Sequence, residues 1–157
     1  MQTKQNSLDA QRSLVLIKPD AVQRGLAGEI IARLETRGLK IVAMKMLQMD
    51  KTLAQRHYAI HKDKAFFGDL VDFITCSPII AIVFQGKGAV DTIRETMGKT
   101  DPANAKPGTI RGDLALDIGH NLIHGSDSEE TASQEIDLFF SEEEILDYHR
   151  EIDKWLS

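Results

Sequence analysis

The sequence predicts an α+β fold, a four-stranded antiparallel sheet with helices packed on one face of it. Three observations carry that expectation. The apolar runs are short enough to be strands, the segments between them repeat their apolar residues at helical spacing, and Gly, Pro and Asp punctuate the junctions. In order the elements read β-α-β-α-α-β-α-β-α, the pattern of a split βαβ layer.

Leu14 to Ile17 is an unbroken apolar run and predicts a central strand, after which Lys18-Pro19-Asp20 delivers a lysine into a turn. Leu26, Ile30, Ile31 and Leu34 mark one face of a helix from Gly25 to Arg37, and Gly38 stops it. Leu39 to Met49, rich in Ile, Val and Met, predicts a second strand. Asp50 or Thr52 caps a helix running to about His61, and a further helix puts Phe66, Phe67, Leu70, Val71, Phe73 and Ile74 on a broad apolar face. Ile79 to Gln85 is the strongest strand signal, and Gly86-Lys87-Gly88 opens a helix to about Met97. Gly98 to Gly112 holds too many Gly, Pro, Asn and Asp residues for regular structure, and a loop of that length implies a job for it. Leu114 to Ile118 predicts the fourth strand, Asn121 to Ser128 a loop, and Ser128 to Phe140 the last helix. Ser126 with Glu129, and Ser141 with Glu144, both fit a capping box and fix helix starts near 128 and 142.

The 157 residues read as one domain from Ser13 to Ser157, with a tail from about Leu146 and a disordered polar lead over residues 1–12. Apolar residues make up 42% and charged ones 27%, which speaks against disordered and fibrous classes. The lead lacks the apolar core of a secretory signal, and no stretch reaches the ~18 apolar residues that cross a bilayer, so a soluble protein away from membranes is expected. Cys76, the single cysteine, has no internal partner and neighbours Phe73, Ile74 and Ile79; an apolar setting and a reducing cytoplasm follow. A net charge of -5 opposes a broad basic field for nucleic acid, so a phosphorylated ligand needs locally concentrated positive charge.

The common phosphate-binding devices are missing: there is no G-x-x-x-x-G-K-[ST] loop, no G-x-G-x-x-G, and no H-R-D or D-F-G set. Gly86-Lys87-Gly88 reads as a polar turn before a helix. What remains is Asn121-Leu122-Ile123-His124-Gly125-Ser126-Asp127-Ser128. A histidine followed by glycine at a loop-to-helix junction projects its ring beside free backbone N–H groups, where a helix N-terminus favours phosphate. Neutral imidazole can attack phosphorus without a separate base, provided its second nitrogen is held. On spacing alone, a His-Gly pair is more often a surface turn than a catalyst. The flanking residues reverse that balance.

From about Ser13 through Phe140 the chain resembles the nucleoside diphosphate kinase family, in LVLIKPDAVQRGLAGEI, HYAIHKDKAFFGDLVDFITCSPIIAIVFQG, PGTIRGDLALDIG and NLIHGSDSEETASQEI, in that order. The resemblance implies a ferredoxin-like core and a ping-pong transfer of the γ-phosphoryl group from a nucleoside triphosphate to a nucleoside diphosphate through a phosphohistidine. ATP, GTP and other nucleotides are the implied substrates. Mg²⁺ is implied as the cofactor, held by nucleotide phosphates rather than by a protein metal site. A homo-oligomer is also implied, with a hexamer ahead of a tetramer.

By the same resemblance His124 carries the phosphoryl group, and Lys18, Arg94, Thr100 and Arg111 contact phosphate. Asn121 reaches the sugar and the transferred phosphate, and Phe66 stacks on the base with Leu70 beside it. Tyr58 supports the catalytic ring, Ser126 and Glu135 form a hydrogen-bonded pair near it, and Asp127 orders a water on the nucleotide's metal. These roles make chemical sense, because fixed cations stabilise the spread charge of a transferring phosphoryl group and stacking recognises the π-face all bases share. Taken without the family, Arg94 reads as a solvated helix charge, Lys18 as a strand-end charge, and Phe66, like Phe67, as core. His57, His61, His120 and His149 form no ligand cluster with Cys76.

Two positions depart from the family pattern. Ile60 stands where many relatives carry a carboxylate, which removes one orienter of the imidazole, and Ala65 replaces a common proline before the aromatic pair. Two other functional classes compete. A scaffolding member of the same family is disfavoured by the presence of His124 and Arg111, and an RNA-binding module by aliphatic strands and an acidic balance.

Overall fold

A computed structural model of the chain describes residues 10–156. The chain runs through β1 (Gln11–Ile17), α1 (Pro19–Gln23), α2 (Ala27–Thr36), β2 (Lys40–Leu47), α3 (Lys51–His57), α4 (Phe67–Thr75), β3 (Ile79–Gly86), α5 (Ala89–Met97), α6 (Ile110–Leu114), β4 (Ile123–Gly125) and α7 (Glu129–Phe139). The strands form one sheet in the order β2-β3-β1-β4, every pair antiparallel. This is the α+β layer that the sequence predicts. β1 starts two residues ahead of the expected domain boundary, with Arg12 paired to Gln85, so the lead expected over residues 1–12 is partly strand. Residues 1–9 of that lead lie outside the described residues.

Leu14, Val15, Leu16 and Ile17 are all fully buried. Successive strand side chains face opposite ways, so an unbroken apolar run needs cover on both sides. Val15 and Ile17 pack with Ile30 and Leu34 of α2 and with Ile93 and Met97 of α5. Leu14 and Leu16 pack with Ala54 of α3, Val71 and Ile74 of α4, and Ile136 and Phe139 of α7. Helices therefore cover both faces, which corrects the expectation of one covered face.

Several boundaries near the site also differ. Pro19 opens α1 instead of a turn, its fixed φ suiting the first helical position. The strand expected over Leu114 to Ile118 does not form. Thr109 Oγ1 accepts the Gly112 N–H at 3.0 Å to start α6, and Asp117 accepts the Gly119 N–H at 2.9 Å to start a 3-10 turn over Ile118–His120. The fourth strand is β4 instead, inside the segment expected to be a loop, with His124 opposite Leu16. Three residues are too few to display a period. α7 is capped by Ser128, whose Oγ accepts the Thr131 N–H at 3.1 Å, and not by Ser126, which is fully buried. Cys76 ends α4 and is exposed, which corrects the expected apolar setting.

The tail returns along the open edge of β2. The Leu146 N–H donates to the Val42 carbonyl at 2.8 Å, the Tyr148 hydroxyl donates to the Ile41 carbonyl, and Arg150 donates to the Gly38 carbonyl at 2.9 Å. Ile152 and Trp155 remain exposed. Among the described residues no helix is long and apolar enough to cross a membrane.

Candidate active site

The end of β1, the strand β4, α5, α6 and the α3–α4 pair surround a cavity of about 990 Å³, large enough for a nucleotide. Every residue expected for the site lines it except Ser126.

His124 is delivered by a tight piece of backbone. The Ile123 N–H donates to the Asn121 carbonyl at 2.9 Å, closing a γ-turn whose central residue, Leu122, has φ 74°. A leucine in that region is strained and needs holding from outside. Asp20 does this by accepting the Leu122 N–H at 3.0 Å, while the Leu122 carbonyl accepts the Lys18 N–H at 2.9 Å. The start of α1 thus fixes the approach to β4.

The His124 ring is held by a carboxylate. Its Nε2 lies 2.7 Å from Glu135 Oε2, which assigns the proton to Nε2 and leaves the Nδ1 lone pair free. Burial works to raise the Glu135 pKa, but the hydrogen bond and charge of His124 outweigh it and hold the carboxyl below its ordinary value. Ser126 lies close enough to assist in lowering it. Even so, neither Ser126 Oγ nor Glu135 Oε1 has a hydrogen-bond partner among the described residues, so the two are adjacent without forming the expected bond. The carboxylate missing at Ile60 is therefore not missing from the ring, because Glu135 supplies it.

His57 completes this corner, and the sequence reading passed over it. Its ring meets His124 edge-on at 4.8 Å and Tyr58 at 4.7 Å between centroids, so His57 lies between Tyr58 and the His124 ring. Burial, with the nearby charge of His124, pushes the His57 pKa down to about 3, and the ring is neutral. Burial likewise raises the Tyr58 hydroxyl to about 12.

The cations gather on the opposite side. Arg111 is buried, and its guanidinium clamps three backbone carbonyls: Nε to Asn121 at 3.1 Å, Nη1 to Gly98 at 3.1 Å, and Nη2 to Ile123. Lys18 donates to Asn121 Oδ1 at 2.6 Å, and the Asn121 amide donates to the Thr100 carbonyl at 2.9 Å. Among the described residues neither Lys18 nor Arg111 has a carboxylate within salt-bridge distance. Burial and then Arg111 pull the Lys18 pKa down to about 8 against the pull of Asp20, and burial and then Arg94 lower Arg111 to about 10. Both values express the cost of burying a cation without an anion. Arg94 is different: it pairs with Asp127 at 2.7 Å at the exposed rim.

At the far end Phe66, Leu70, Ile60 and Ile118 line the cavity, and Phe66 keeps 46% of its surface exposed. Phe66 sits just before α4 and not within it, which frees its ring from the core. Ile118 was also missed, because the sequence placed it in a strand. His57, expected to join no ligand cluster, gathers with His124 and Glu135.

The chain is similar over nearly its whole length to known proteins. The family model for nucleoside diphosphate kinase matches residues 11–145. The chain is 57% identical over 146 residues to the nucleoside diphosphate kinase of Thermomicrobium roseum, covering 93% of this chain and 98% of that one. It is 56% identical to that of Pelotomaculum thermopropionicum, again covering 93% and 98%. Among solved structures it is similar to a halophilic nucleoside diphosphate kinase from Halobacterium salinarum in complex with CDP, with TM-score 0.91 and 50% identity over 94% of this chain and 98% of that one.

Proposed function

We propose that this chain, which belongs to the nucleoside diphosphate kinase family, carries the phosphoryl group between nucleotides on Nδ1 of His124. The protein is a phosphotransferase that moves the terminal phosphoryl group of a nucleoside triphosphate to a nucleoside diphosphate, in two half-reactions through a phosphohistidine. One observation supports the choice of residue above others. A histidine whose Nε2 is held by Glu135 shares a cavity with part-buried Lys18 and buried Arg111, two cations that have no carboxylate partner among the described residues. Only an anionic ligand neutralises that arrangement.

The Nδ1 lone pair attacks the γ-phosphorus, a P–N bond forms as the P–O bond to the β-phosphate breaks, and the diphosphate leaves with that electron pair. Glu135 stabilises the charge that grows on the ring, and Lys18, Arg94 and Arg111 stabilise the charge on the transferring oxygens. A second diphosphate then attacks the phosphohistidine with its terminal oxygen and restores the neutral ring. Asn121 ties Lys18 to the Thr100 segment, which keeps the phosphate-binding groups in one frame. Mg²⁺ suits a site whose exposed oxygen ligand is Asp127: bound on the nucleotide phosphates it neutralises their charge, and Asp127 would hold one of its waters. The nitrogen-rich trio of His57, His124 and Glu135 does not suit that ion.

Phe66, Leu70 and Ile118 offer apolar surface to the base, and the CDP bound by the Halobacterium relative supports a slot that takes pyrimidines as well as the purines of ATP and GTP. The family is generally oligomeric, and a cytoplasmic hexamer, ahead of a tetramer, is the assembly that would cover the exposed Leu116, Ile152 and Trp155. Light scattering that gives a monomer at micromolar concentration refutes that assembly. The chemistry is tested by incubating the protein with radiolabelled ATP alone, removing nucleotide, and adding GDP. Label should stay on the protein, resist alkali, yield to acid, and move to GTP; His124→Ala should take up none. Turnover of His124→Ala near the wild-type rate would overturn the assignment.

A further inference from the structure

Phosphoryl transfer uses only part of the group around Glu135. His57 Nδ1 lies 3.3 Å from Glu135 Oε2, and His124 Nε2 lies 2.7 Å from the same oxygen. The three ligand atoms fall within 4.8 Å of one another. The His57 side chain is 2% exposed, and among the described residues neither of its ring nitrogens nor Glu135 Oε1 has a hydrogen-bond partner. Buried polar atoms without partners are costly, and three of them around one carboxylate mark a place where another atom belongs.

Two imidazoles and one carboxylate suit borderline cations such as Zn²⁺ far better than Mg²⁺. Zinc bonds of ~2.0–2.1 Å set tetrahedral ligands about 3.3 Å apart. His57 and Glu135 already have that separation; His124 must back away from Glu135 by about half an ångström, and the two imidazole nitrogens, up to 4.8 Å apart, must close by as much as about 1.5 Å. We propose that His57, His124 and Glu135 form an inhibitory site for Zn²⁺, in which the metal takes the Nε2 lone pair of His124 and silences its Nδ1.

The chemistry follows from the single proton of a neutral imidazole. With metal on Nε2 that proton moves to Nδ1, none is released, and Nδ1 has no lone pair left to attack phosphorus. Conversely, a phosphoryl group on Nδ1 leaves the proton on Nε2 and removes a ligand from the metal. Zinc and the phosphoryl group exclude one another on one ring, and each weakens the binding of the other by linkage. The inhibition rests on Nδ1 being the phosphoryl carrier, whereas the site itself stands on the three ligands alone.

The test uses Co²⁺ as a coloured probe on the whole, chelator-treated protein. One equivalent per chain should bind with visible bands of low coordination number, be displaced by Zn²⁺ and not by Mg²⁺, and give no thiolate band from Cys76. His57→Gln should weaken Co²⁺ binding about a hundredfold. Should that variant fail to fold, the wild-type protein suffices: phosphorylation of His124 should abolish the bands and GDP should restore them. Zn²⁺ should block uptake of label from ATP until a chelator is added. No bands, or bands indifferent to His57→Gln and to phosphorylation, would overturn the site. Cobalt bound at these ligands with label uptake unchanged would overturn the inhibition and place the fault in the nucleophile assignment.

Discussion

At the end of the cavity proposed for phosphate, Arg111 and Asn121 are buried and Lys18 part-buried, all three tied to each other's segments by hydrogen bonds, and His124 sits on a strand paired with the central one. At the base end Phe66, Ile118 and Ile60 are 46%, 59% and 84% exposed and stand on helix ends and 3-10 turns. The difference follows from what each end has to do. Moving a phosphoryl group needs charges fixed before the substrate arrives, because a charge that must reorient contributes less to the transition state. Holding any of several bases needs a flat apolar contact and little else. Rigidity at one end is thus compatible with tolerance at the other.

The comparison breaks most clearly at Arg111. Replacing it with Met removes a fixed cation, and three backbone carbonyls lose their donor. kcat is expected to fall by about 10²–10³-fold, with a lowered Tm from the loosened loop. Arg111→Lys should recover only part of both, because an ammonium cannot form the guanidinium fork. Steady-state kinetics and thermal melts check this, and a variant of near wild-type kcat would show that the phosphate end is not preorganised by this residue.

Lys18 sharpens the contrast through pH. Burial, and then Arg111, hold its pKa at about 8, below the 10.5 of an exposed lysine. Nucleotide binding needs the cation, so kcat/KM should fall about tenfold per pH unit above about 8. kcat should hold to higher pH, since bound phosphate raises the lysine's pKa. Stability should move the other way. Between about 8 and 10.5 the unfolded chain binds more protons at this group than the folded one, so its contribution rises with pH across that window. Lys18→Met should flatten both slopes, and a pH profile unchanged in that variant would assign the loss to another group.

What the sequence made legible divides along the same line. The phosphate-end residues sit in contiguous, recognisable segments, and a lysine at the end of an apolar run already points to a site edge. Asp20 and His57 could not be found that way. Asp20 acts by holding Leu122, 102 positions away in the chain, and His57 by packing from α3 on His124 of β4. Only the fold makes those contacts. The unbroken run Leu14 to Ile17 did contain the two-sided cover that the one-face expectation overlooked, whereas β4, with three residues, carried no periodic signal at all. Ile118 went astray with the strand expected around it, because capping by Thr109 and Asp117 outweighed an apolar pattern.

The smallest effect is expected at Phe66, and it separates the two ends most cleanly. Its ring is half exposed, flanked by His61 at 5.6 Å between centroids, and lies outside the packed face of α4. Truncation to Ala therefore removes contact surface without opening a core cavity, and the fold should be little affected. Stacking of a base on an aromatic ring is worth ~1–3 kcal/mol, and a half-exposed ring belongs at the low end, so kcat/KM should drop about tenfold. The loss should fall on KM, because nothing at the phosphate end has changed and a saturated site still presents the γ-phosphorus to His124. GDP, CDP and UDP should all suffer, the purine somewhat more since it has the larger face to lose. In the intact protein the same three acceptors should differ only modestly. A collapse of kcat in Phe66→Ala would mean that the base end also positions the phosphate, and an unchanged KM would mean that the base stacks elsewhere. A preference above about a thousandfold for one base in the wild type would require hydrogen-bonded readout of its edge, which a slot of Phe66, Leu70 and Ile118 cannot supply.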